Sequence, residues 1–220
     1  MKITRISRLR PITLFWKKVP YILKKPILAK FRLRYTRLLE PHVIKLFKVP
    51  KDAIVLDVGA FVGFYSRLAA KQAKKGLILA IEPEPYNFRL LRINTKGFSN
   101  VILLDIACWS ENKYVKLYIG GPSTHSIIKF SDKFVIVRAL TIDYLVFKIF
   151  RLPRVDLIKI DVEGAEYEVL KGAISTLESF KPVLFIEIWK SNVRSVLNFL
   201  YRLGYKRFRV IDGVYYIRSW

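Results

Sequence analysis

The chain has 220 residues, 52% of them hydrophobic and 14% aromatic, which suits one folded domain and excludes a largely disordered protein. Its net charge of +23 favours anionic partners such as nucleic acid, anionic lipid or a phosphorylated substrate. The single cysteine, Cys108, excludes an intramolecular disulfide. No stretch of the sequence approaches the roughly 18 apolar residues of a membrane-spanning helix, and no secretory signal is evident. We therefore expect a cytoplasmic protein, with a location at the membrane periphery left open.

Residues 1–50 form a basic, aromatic-rich segment that we expect to be a helical extension of a domain over residues 51–220. The segment holds 14 Lys or Arg against Glu40 alone, so it carries +13 of the net charge. Pro26 and Pro41 bound a predicted amphipathic helix. Three roles stay open for this leader: a cap on the core, a contact with an anionic membrane through residues 1–40, or an RNA-binding segment.

After residue 50 the chain alternates between predicted strands and predicted helices. The strands are predicted over residues 54–58, 77–82, 101–104, 155–161 and 183–188, and the helices over 63–75, 85–96, 141–150, 165–177 and 192–203. An inserted hairpin is predicted between residues 114 and 138, and a second hairpin, with an Asp212-Gly213 turn, at the end of the chain. This alternation predicts an α/β fold with a mainly parallel sheet and helices on both faces.

The turn after the first strand indicates a nucleoside ligand without phosphate. Asp57 and Gly59 end the strand, and Gly63 opens the next helix. A dinucleotide-binding turn needs small residues where Phe61 and Phe64 stand, and Asp57 would repel a pyrophosphate. A ligand with a cationic centre fits better, and S-adenosylmethionine (SAM) is such a ligand.

Carboxylates follow each of the other predicted core strands, although the chain has only 17 acids against 40 bases. Ligands of open α/β sheets lie beyond the carboxyl ends of the strands. These acids are Glu82, Asp105, Asp161 with Glu163, and Glu187. Glu82 stands where such folds hold ribose hydroxyls, and Asp105 where adenine would lie. The alternatives are that Asp57 and Glu82 cap helices, that Asp105 is a turn residue, and that Gly59 and Gly63 serve packing.

The same strand ends offer a general base for transfer of a methyl group to an oxygen atom. The acceptor must approach in line with the sulfonium carbon, and a hydroxyl must also lose its proton. Asp161, on the same strand face as Lys159, is the first candidate for the base or substrate anchor; Glu163 is the second and His125 the third. Asp161, Glu163 and Glu187 also suit a divalent cation, but their spacing does not require one, so no metal site is predicted.

Five segments together resemble the FkbM family of SAM-dependent methyltransferases, in order and with natural spacing over residues 39 to 188. They are Val-Leu-Asp57-Val-Gly59-Ala-Phe-Val-Gly63-Phe-Tyr-Ser, Ile-Glu82-Pro-Glu-Pro, Leu-Thr-Ile-Asp143, Asp156-Leu-Ile-Lys159-Ile-Asp161-Val-Glu163-Gly164-Ala-Glu166 and Phe-Ile-Glu187. The resemblance implies a class I, Rossmann-like fold with a seven-stranded, mostly parallel sheet, a C-terminal antiparallel hairpin, and SAM as cofactor. It also implies O-methylation of a hydroxyl on a glycan, lipid-linked or small-molecule acceptor.

The resemblance also assigns roles by position. The cofactor-binding residues would be Asp57, Gly59, Ala60, Phe61, Gly63, Glu82, Pro83 and Asp105. The substrate-side acidic motif would comprise Asp161, Glu163 and Glu166.

Two rival functions remain beside an O-methyltransferase. The +23 charge and the arginines interleaved with aromatics near the C-terminus favour an RNA methyltransferase. Against it, the chain has neither an Asn/Asp-Pro-Pro-Tyr segment nor a catalytic-cysteine motif. The other rival is a non-catalytic binding protein, which the intact turn from Asp57 to Gly63 and the presence of Glu82 disfavour.

Overall fold

The computed structural model describes residues 4–5, 41–120, 125–128, 132–211 and 214–218. The predicted helix that begins at Pro26 and the Asp212-Gly213 turn lie outside these ranges. The strands are β1 (Thr4–Arg5), β2 (Ile54–Val58), β3 (Leu77–Ile81), β4 (Val101–Leu104), β5 (Ala107–Cys108), β6 (Lys113–Ile119), β7 (His125–Ser126), β8 (Phe134–Leu140), β9 (Leu157–Ile160), β10 (Val183–Glu187), β11 (Arg207–Ile211) and β12 (Val214–Arg218). The helices are α1 (Pro41–Leu46), α2 (Phe64–Gln72), α3 (Pro85–Thr95), a π-helix (Tyr144–Ile149), α4 (Glu166–Lys171), α5 (Ile174–Phe180) and α6 (Val193–Arg202).

The main sheet has the strand order β1-β11-β12-β10-β9-β2-β3-β4. Strands β4, β3, β2, β9 and β10 are parallel, while β12 is antiparallel to both β10 and β11. These seven strands form the predicted sheet with its C-terminal hairpin. The two-residue β1 adds an eighth strand through parallel pairing of Thr4 with Arg209.

Helices cover both faces of this sheet because its strands carry apolar side chains on both sides. Leu56 and Val58 of β2 belong to a large core cluster with the π-helix, α4, α5 and α6. Val55 faces the other way and packs with α2 and Phe47. The predicted α/β fold class is thus confirmed.

The end of the basic leader packs onto the domain. Phe47 is buried against Tyr65 and Phe185, with ring centroids 5.1 Å and 5.2 Å apart. The Gln72 side chain donates to the Phe47 carbonyl and accepts from the Val49 amide, each at 3.0 Å. None of the helices in the described ranges combines the length and the apolar character needed to cross a membrane.

A second, four-stranded sheet with the order β5-β8-β6-β7 follows β4. It contains the predicted inserted hairpin as the antiparallel pair β6 and β8. Leu117 and Val137 are buried on its inner face. Cys108 at its start is buried, and burial raises the pKa of its thiol to about 12, so it is a core residue as expected.

Two predicted helices were wrong in detail. The helix predicted over residues 165–177 is two helices, α4 and α5, because the backbone leaves the helical conformation at Gly172 and Ala173, and the Asp143 carboxylate accepts from the Ser175 and Thr176 amides at the start of α5. A Cβ atom on Gly172 would lie 2.0 Å from the Trp109 carbonyl oxygen, so this junction requires glycine. The segment predicted as an ordinary helix over residues 141–150 contains the π-helix.

Candidate functional site

The strand order reverses at β2, which lies between β3 and β9, and ligands of open α/β sheets bind at such a switch point. The chain segments that follow these three strands are joined by backbone hydrogen bonds. The amides of Gly59 and Ala60 donate to the Ile81 carbonyl at 3.0 Å and 2.9 Å, and the Asp161 amide donates to the Val58 carbonyl at 3.1 Å. The fold therefore places the predicted cofactor-binding turn beside the predicted catalytic loop.

The glycines of the turn are required by its own packing. Gly59 has φ +74°, and a Cβ atom there would lie 1.8 Å from the Asp161 carbonyl oxygen. Gly63 has φ +90°, and its Cβ atom would lie 2.7 Å from the Leu91 side chain. Phe61 between them also has a positive φ, 52°, which is strained for a residue with a bulky side chain. This geometry favours the packing interpretation of both glycines, and a backbone contact with the cofactor stays a prediction.

Glu82 holds the turn to the end of β3. Its Oε2 accepts from the Phe61 amide at 2.8 Å, and its Oε1 accepts from the Glu84 amide at 3.0 Å. Burial raises the pKa of Glu82 to about 7, in spite of these two donors. Each oxygen of a carboxylate has two lone pairs, so both retain capacity for a further hydroxyl donor. The helix-cap alternative for Glu82 is wrong, because Glu84 caps α3 by accepting from the Asn87 amide at 2.6 Å.

A buried lysine joins the turn to the loop after β9, residues 161–165, which we call the acidic loop. Lys159 Nζ donates to the Gly59 carbonyl at 2.7 Å and lies 3.4 Å from Asp57 Oδ1 and 3.5 Å from Asp161 Oδ2. Burial alone would lower the pKa of Lys159, but the Asp57 and Asp161 charges together raise it. Sequence reasoning placed Lys159 on the same face as Asp161 and assigned it no role. The available signal was a lysine inside an otherwise apolar strand.

Asp57 contributes charge to the site, but its side chain is too buried for direct contact with a ligand. Its side chain is 1% exposed, and its Oδ2 accepts from Ser66 Oγ at 2.5 Å. Its Oδ1 has no hydrogen-bond donor among the residues that the structure describes, and the Lys159 ammonium lies 3.4 Å from it. The carboxylates of Asp57 and Asp161 thus both lie within 3.5 Å of one lysine, and Glu82, with a pKa of about 7, adds further negative charge as it ionises, so the site carries more negative than positive charge. This donor set fits a cationic nucleoside such as SAM.

The loop after β9 holds two carboxylates in different environments. Asp161 has a side chain that is 35% exposed, so a ligand can reach it. Glu163 is also half-buried and has a positive φ of 51°. Burial, with a smaller contribution from the Asp161 charge, raises its pKa to about 8, although the Trp189 side chain donates a hydrogen bond to it.

Glu166 stabilises this loop from within. It is buried, and it accepts from the Gly164 amide and from Asn192 Nδ2, each at 2.7 Å. Burial raises the pKa of Glu166, while these donors oppose the shift. Its contacts are those of a residue that shapes the acidic loop at the start of α4.

The remaining predicted residues lie around this centre. Ala60 is buried and Pro83 is half-buried, while Asp105 is exposed after β4. The backbone of His125 lies in β7, next to Ser126, whose hydroxyl donates to the Glu163 carbonyl at 2.7 Å. In the described ranges, no group of three or more His, Cys, Asp or Glu side chains is placed to hold a metal ion.

Comparison with known proteins assigns the family. Residues 57–207 match the methyltransferase FkbM domain. The chain is 28% identical over 151 residues to the hexuronic acid methyltransferase AglP of Haloferax volcanii, covering 66% of this chain and 61% of that relative. It is 24% identical over 191 residues to the methyltransferase sdnD of Sordaria araneosa, covering 71% of this chain and 74% of that relative.

Solved structures support the same fold. The methyltransferase FkbM of Methylobacillus flagellatus has a TM-score of 0.57 and 19% identity, over 78% of this chain and 45% of that one. A precorrin-6y C5,15-methyltransferase of Geobacter metallireducens has a TM-score of 0.53 and 18% identity, over 83% and 87% of the two chains. Since the matched domain takes up more than half of the chain, the protein belongs to the FkbM family of methyltransferases, a family with SAM as its cofactor.

Proposed function

We propose that the protein transfers a methyl group to a hydroxyl of a carbohydrate acceptor, and that the acceptor is an acidic sugar or a glycan that carries one. The observation that carries this proposal is the accessible Asp161 carboxylate beside the cofactor-binding turn. The name of the archaeal relative, a hexuronic acid methyltransferase, supports the choice of acceptor. Glycans attached to lipids and small glycosides belong to the same acceptor class.

The residues around the turn have the properties needed to hold the cofactor. When bound, SAM supplies a methyl group on a positively charged sulfur. Glu82 would accept hydrogen bonds from the ribose hydroxyls, since both of its oxygens keep free lone pairs. Asp57 and Asp161 would favour the cationic part of the ligand through the net negative charge around Lys159.

The acidic loop would handle the acceptor. Asp161 would accept the proton of the attacking hydroxyl or anchor the acceptor, because 35% of its side chain is exposed beside the turn. With a pKa of about 8, Glu163 is largely protonated at neutral pH and would donate a hydrogen bond to an acceptor oxygen. As a second candidate for the base, Glu163 would act once ionised. Correct alignment of the acceptor supplies much of the acceleration in either arrangement.

A transfer assay with labelled methyl groups tests this proposal. The acceptors are a uronic acid glycoside, a neutral glycoside and total RNA. We expect label in the uronic acid glycoside, and a loss of at least about 100-fold in turnover for Asp161→Asn, with SAM binding weakened far less than turnover. Glu178→Gln, an exposed carboxylate-to-amide change on α5, is the matched control. Normal turnover in Asp161→Asn would exclude Asp161 as the base.

The net charge of +23 keeps RNA as the second candidate acceptor. Label that enters RNA and neither glycoside would replace the carbohydrate proposal. RNA binding should then weaken steeply with salt, since each neutralised phosphate releases counterions.

The basic leader would place the enzyme near anionic membranes, where lipid-linked acceptors are found. Its 14 Lys or Arg and its aromatic residues have the composition of interfacial segments. Flotation with anionic vesicles should be lost on deletion of residues 1–25, with unchanged SAM binding as the control. Equal flotation of the shortened protein would remove this role.

A further inference from the structure

The second sheet has an outer face that combines aromatic and cationic side chains. Side chains alternate between the two faces of a strand. Because Leu117 on β6 and Val137 on β8 point into the core, the residues that alternate with them along each strand point outwards. Six side chains therefore share the outer face: Tyr114, Lys116 and Tyr118 on β6, and Phe134, Ile136 and Arg138 on β8. In the strand register, Tyr114 is opposite Arg138, Lys116 opposite Ile136, and Tyr118 opposite Phe134.

Three of the six side chains on this face are large, exposed hydrophobic residues. Tyr114 is 74% exposed, Ile136 58% and Phe134 44%. They are three of the eight large hydrophobic residues that are exposed within the described ranges. A cluster of this kind on a paired, regular sheet is typical of a contact surface, whereas scattered exposed hydrophobics need no explanation.

The charged side chains on this face, Lys116 and Arg138, are both cationic, and they lie among its apolar side chains. Lys116 Nζ lies 4.4 Å from the centroid of the Phe134 ring, and Tyr118 packs against that ring with centroids 6.0 Å apart. Arg138 is exposed opposite Tyr114, and no acidic residue occupies an outward position of β6 or β8. The face therefore suits a ligand that offers both apolar ring surfaces and carboxylates, which guanidinium groups bind with paired hydrogen bonds.

Two other occupants fit this pattern less well. Insertion into a lipid bilayer would bury the Lys116 ammonium, which lies in the middle of the apolar patch, and burial of an unpaired charge is costly. Recognition of single-stranded RNA needs open aromatic faces on which bases stack. Lys116 and Tyr118 already pack against Phe134, which leaves Tyr114 as the most open ring.

The sheet that carries this face is attached to the acidic loop of the site. Strand β7 pairs with β6 through Ser126 and Tyr118. The Ser126 hydroxyl donates to the Glu163 carbonyl at 2.7 Å, and the Ile128 side chain lies against Gly164. The second sheet and the acidic loop are therefore in direct contact.

We propose that the outer face of the second sheet docks an acidic glycan, as a binding surface for the part of the acceptor that lies away from the reacting hydroxyl. This inference rests on the proposed function and deepens it. Contacts with a remote part of a substrate can be used to position its reacting group. The face should therefore matter for long acidic acceptors and should not matter for a monosaccharide acceptor.

Calorimetric titration of the full-length protein tests the inference without methyl transfer. The probes are an oligogalacturonate, a neutral malto-oligosaccharide of equal length, single-stranded RNA and anionic phospholipid vesicles. We expect binding of the oligogalacturonate alone through this face, weakened at least about tenfold by Tyr114→Ala and by Arg138→Gln. Tyr201→Ala, an aromatic that is 56% exposed on α6, and Lys148→Gln, an exposed cation, are matched controls that should bind normally.

The outcomes separate this inference from the proposed function. Unweakened oligogalacturonate binding in both variants, or no binding by the wild-type protein, would overturn the docking surface even if a uronic acid monosaccharide is methylated. Binding of RNA or vesicles that depends on Tyr114 and Arg138 would overturn it as well. Binding of the oligogalacturonate through these residues without methylation of any sugar would leave the surface standing and refute the proposed acceptor.

Discussion

Replacement of Lys159 by methionine is the sharpest test of the candidate site. The change keeps much of the side-chain volume and removes the ammonium group that lies between two carboxylates. Asp57 Oδ1 would lose the cation 3.4 Å away, Asp161 Oδ2 the cation 3.5 Å away, and the Gly59 carbonyl its donor at 2.7 Å. Since Lys159 is 8% exposed and Asp57 1%, water cannot readily replace the lost partner.

The expected cost follows from this burial. Removing one partner of a buried ion pair typically costs about 3–5 kcal/mol, because the other charge is left without compensation. In a chain of this size, each kcal/mol lowers Tm by roughly 2–4 °C, so we expect a fall of roughly 6–20 °C. Lys113→Met is the matched control: its pair with Glu111 is 2.8 Å long but largely exposed, so its loss should cost within about 1 kcal/mol.

Thermal unfolding followed by circular dichroism measures both variants. The raised pKa of Lys159 means that its contribution is complete below its ordinary value of 10.5 and is lost only as the pH rises through the folded-state pKa. A gap in Tm between wild type and Lys159→Met should therefore be present from about pH 6 to about pH 9, and it should widen across this range as Glu82 and Glu163 ionise, because the Lys159 charge lowers the pKa of both. A gap no larger than that of Lys113→Met would refute the view that Lys159 holds the turn and the acidic loop together.

Three further predictions concern single positions. Glu163 has a pKa of about 8, so the folded protein keeps a proton that the unfolded chain releases near 4.5, and the free energy of unfolding should fall as the pH rises between these values. Glu163→Gln should therefore raise Tm at pH 9 and leave it unchanged at pH 5. Equal changes in Tm at both pH values would contradict the burial argument. Gly59→Ala should lower the free energy of unfolding, measured by chemical denaturation, by about 3 kcal/mol or more, since its Cβ would meet the Asp161 carbonyl. Gly97→Ala is the control: Gly97 has φ +104° and no atom within 4 Å of an added Cβ, so the change should cost only about 1 kcal/mol. Glu82→Gln should weaken SAM binding at least about tenfold by calorimetry, with Glu111→Gln unchanged, and normal affinity would remove Glu82 from the site.

Local patterns in the chain were enough to predict the central architecture. Strands 54–58, 101–104 and 214–218 lie where the apolar runs and turn residues placed them. Because parallel strands end at one edge, Asp57, Glu82 and Asp161 could be expected near each other before their contacts were known. The motifs around these residues were also sufficient to indicate the family.

The tertiary structure decided what those residues touch. Lys159 reaches the Gly59 carbonyl across 100 positions of sequence, and the distant Trp109 carbonyl lies so close to Gly172 that a larger residue would not fit there. The periodicity of a strand or helix reports which face is apolar, and it carries no information about which segment packs there. That pairing is set by the strand order and by close packing of the whole core, so the roles of Lys159 and of the outer face of the second sheet emerged only from the folded chain.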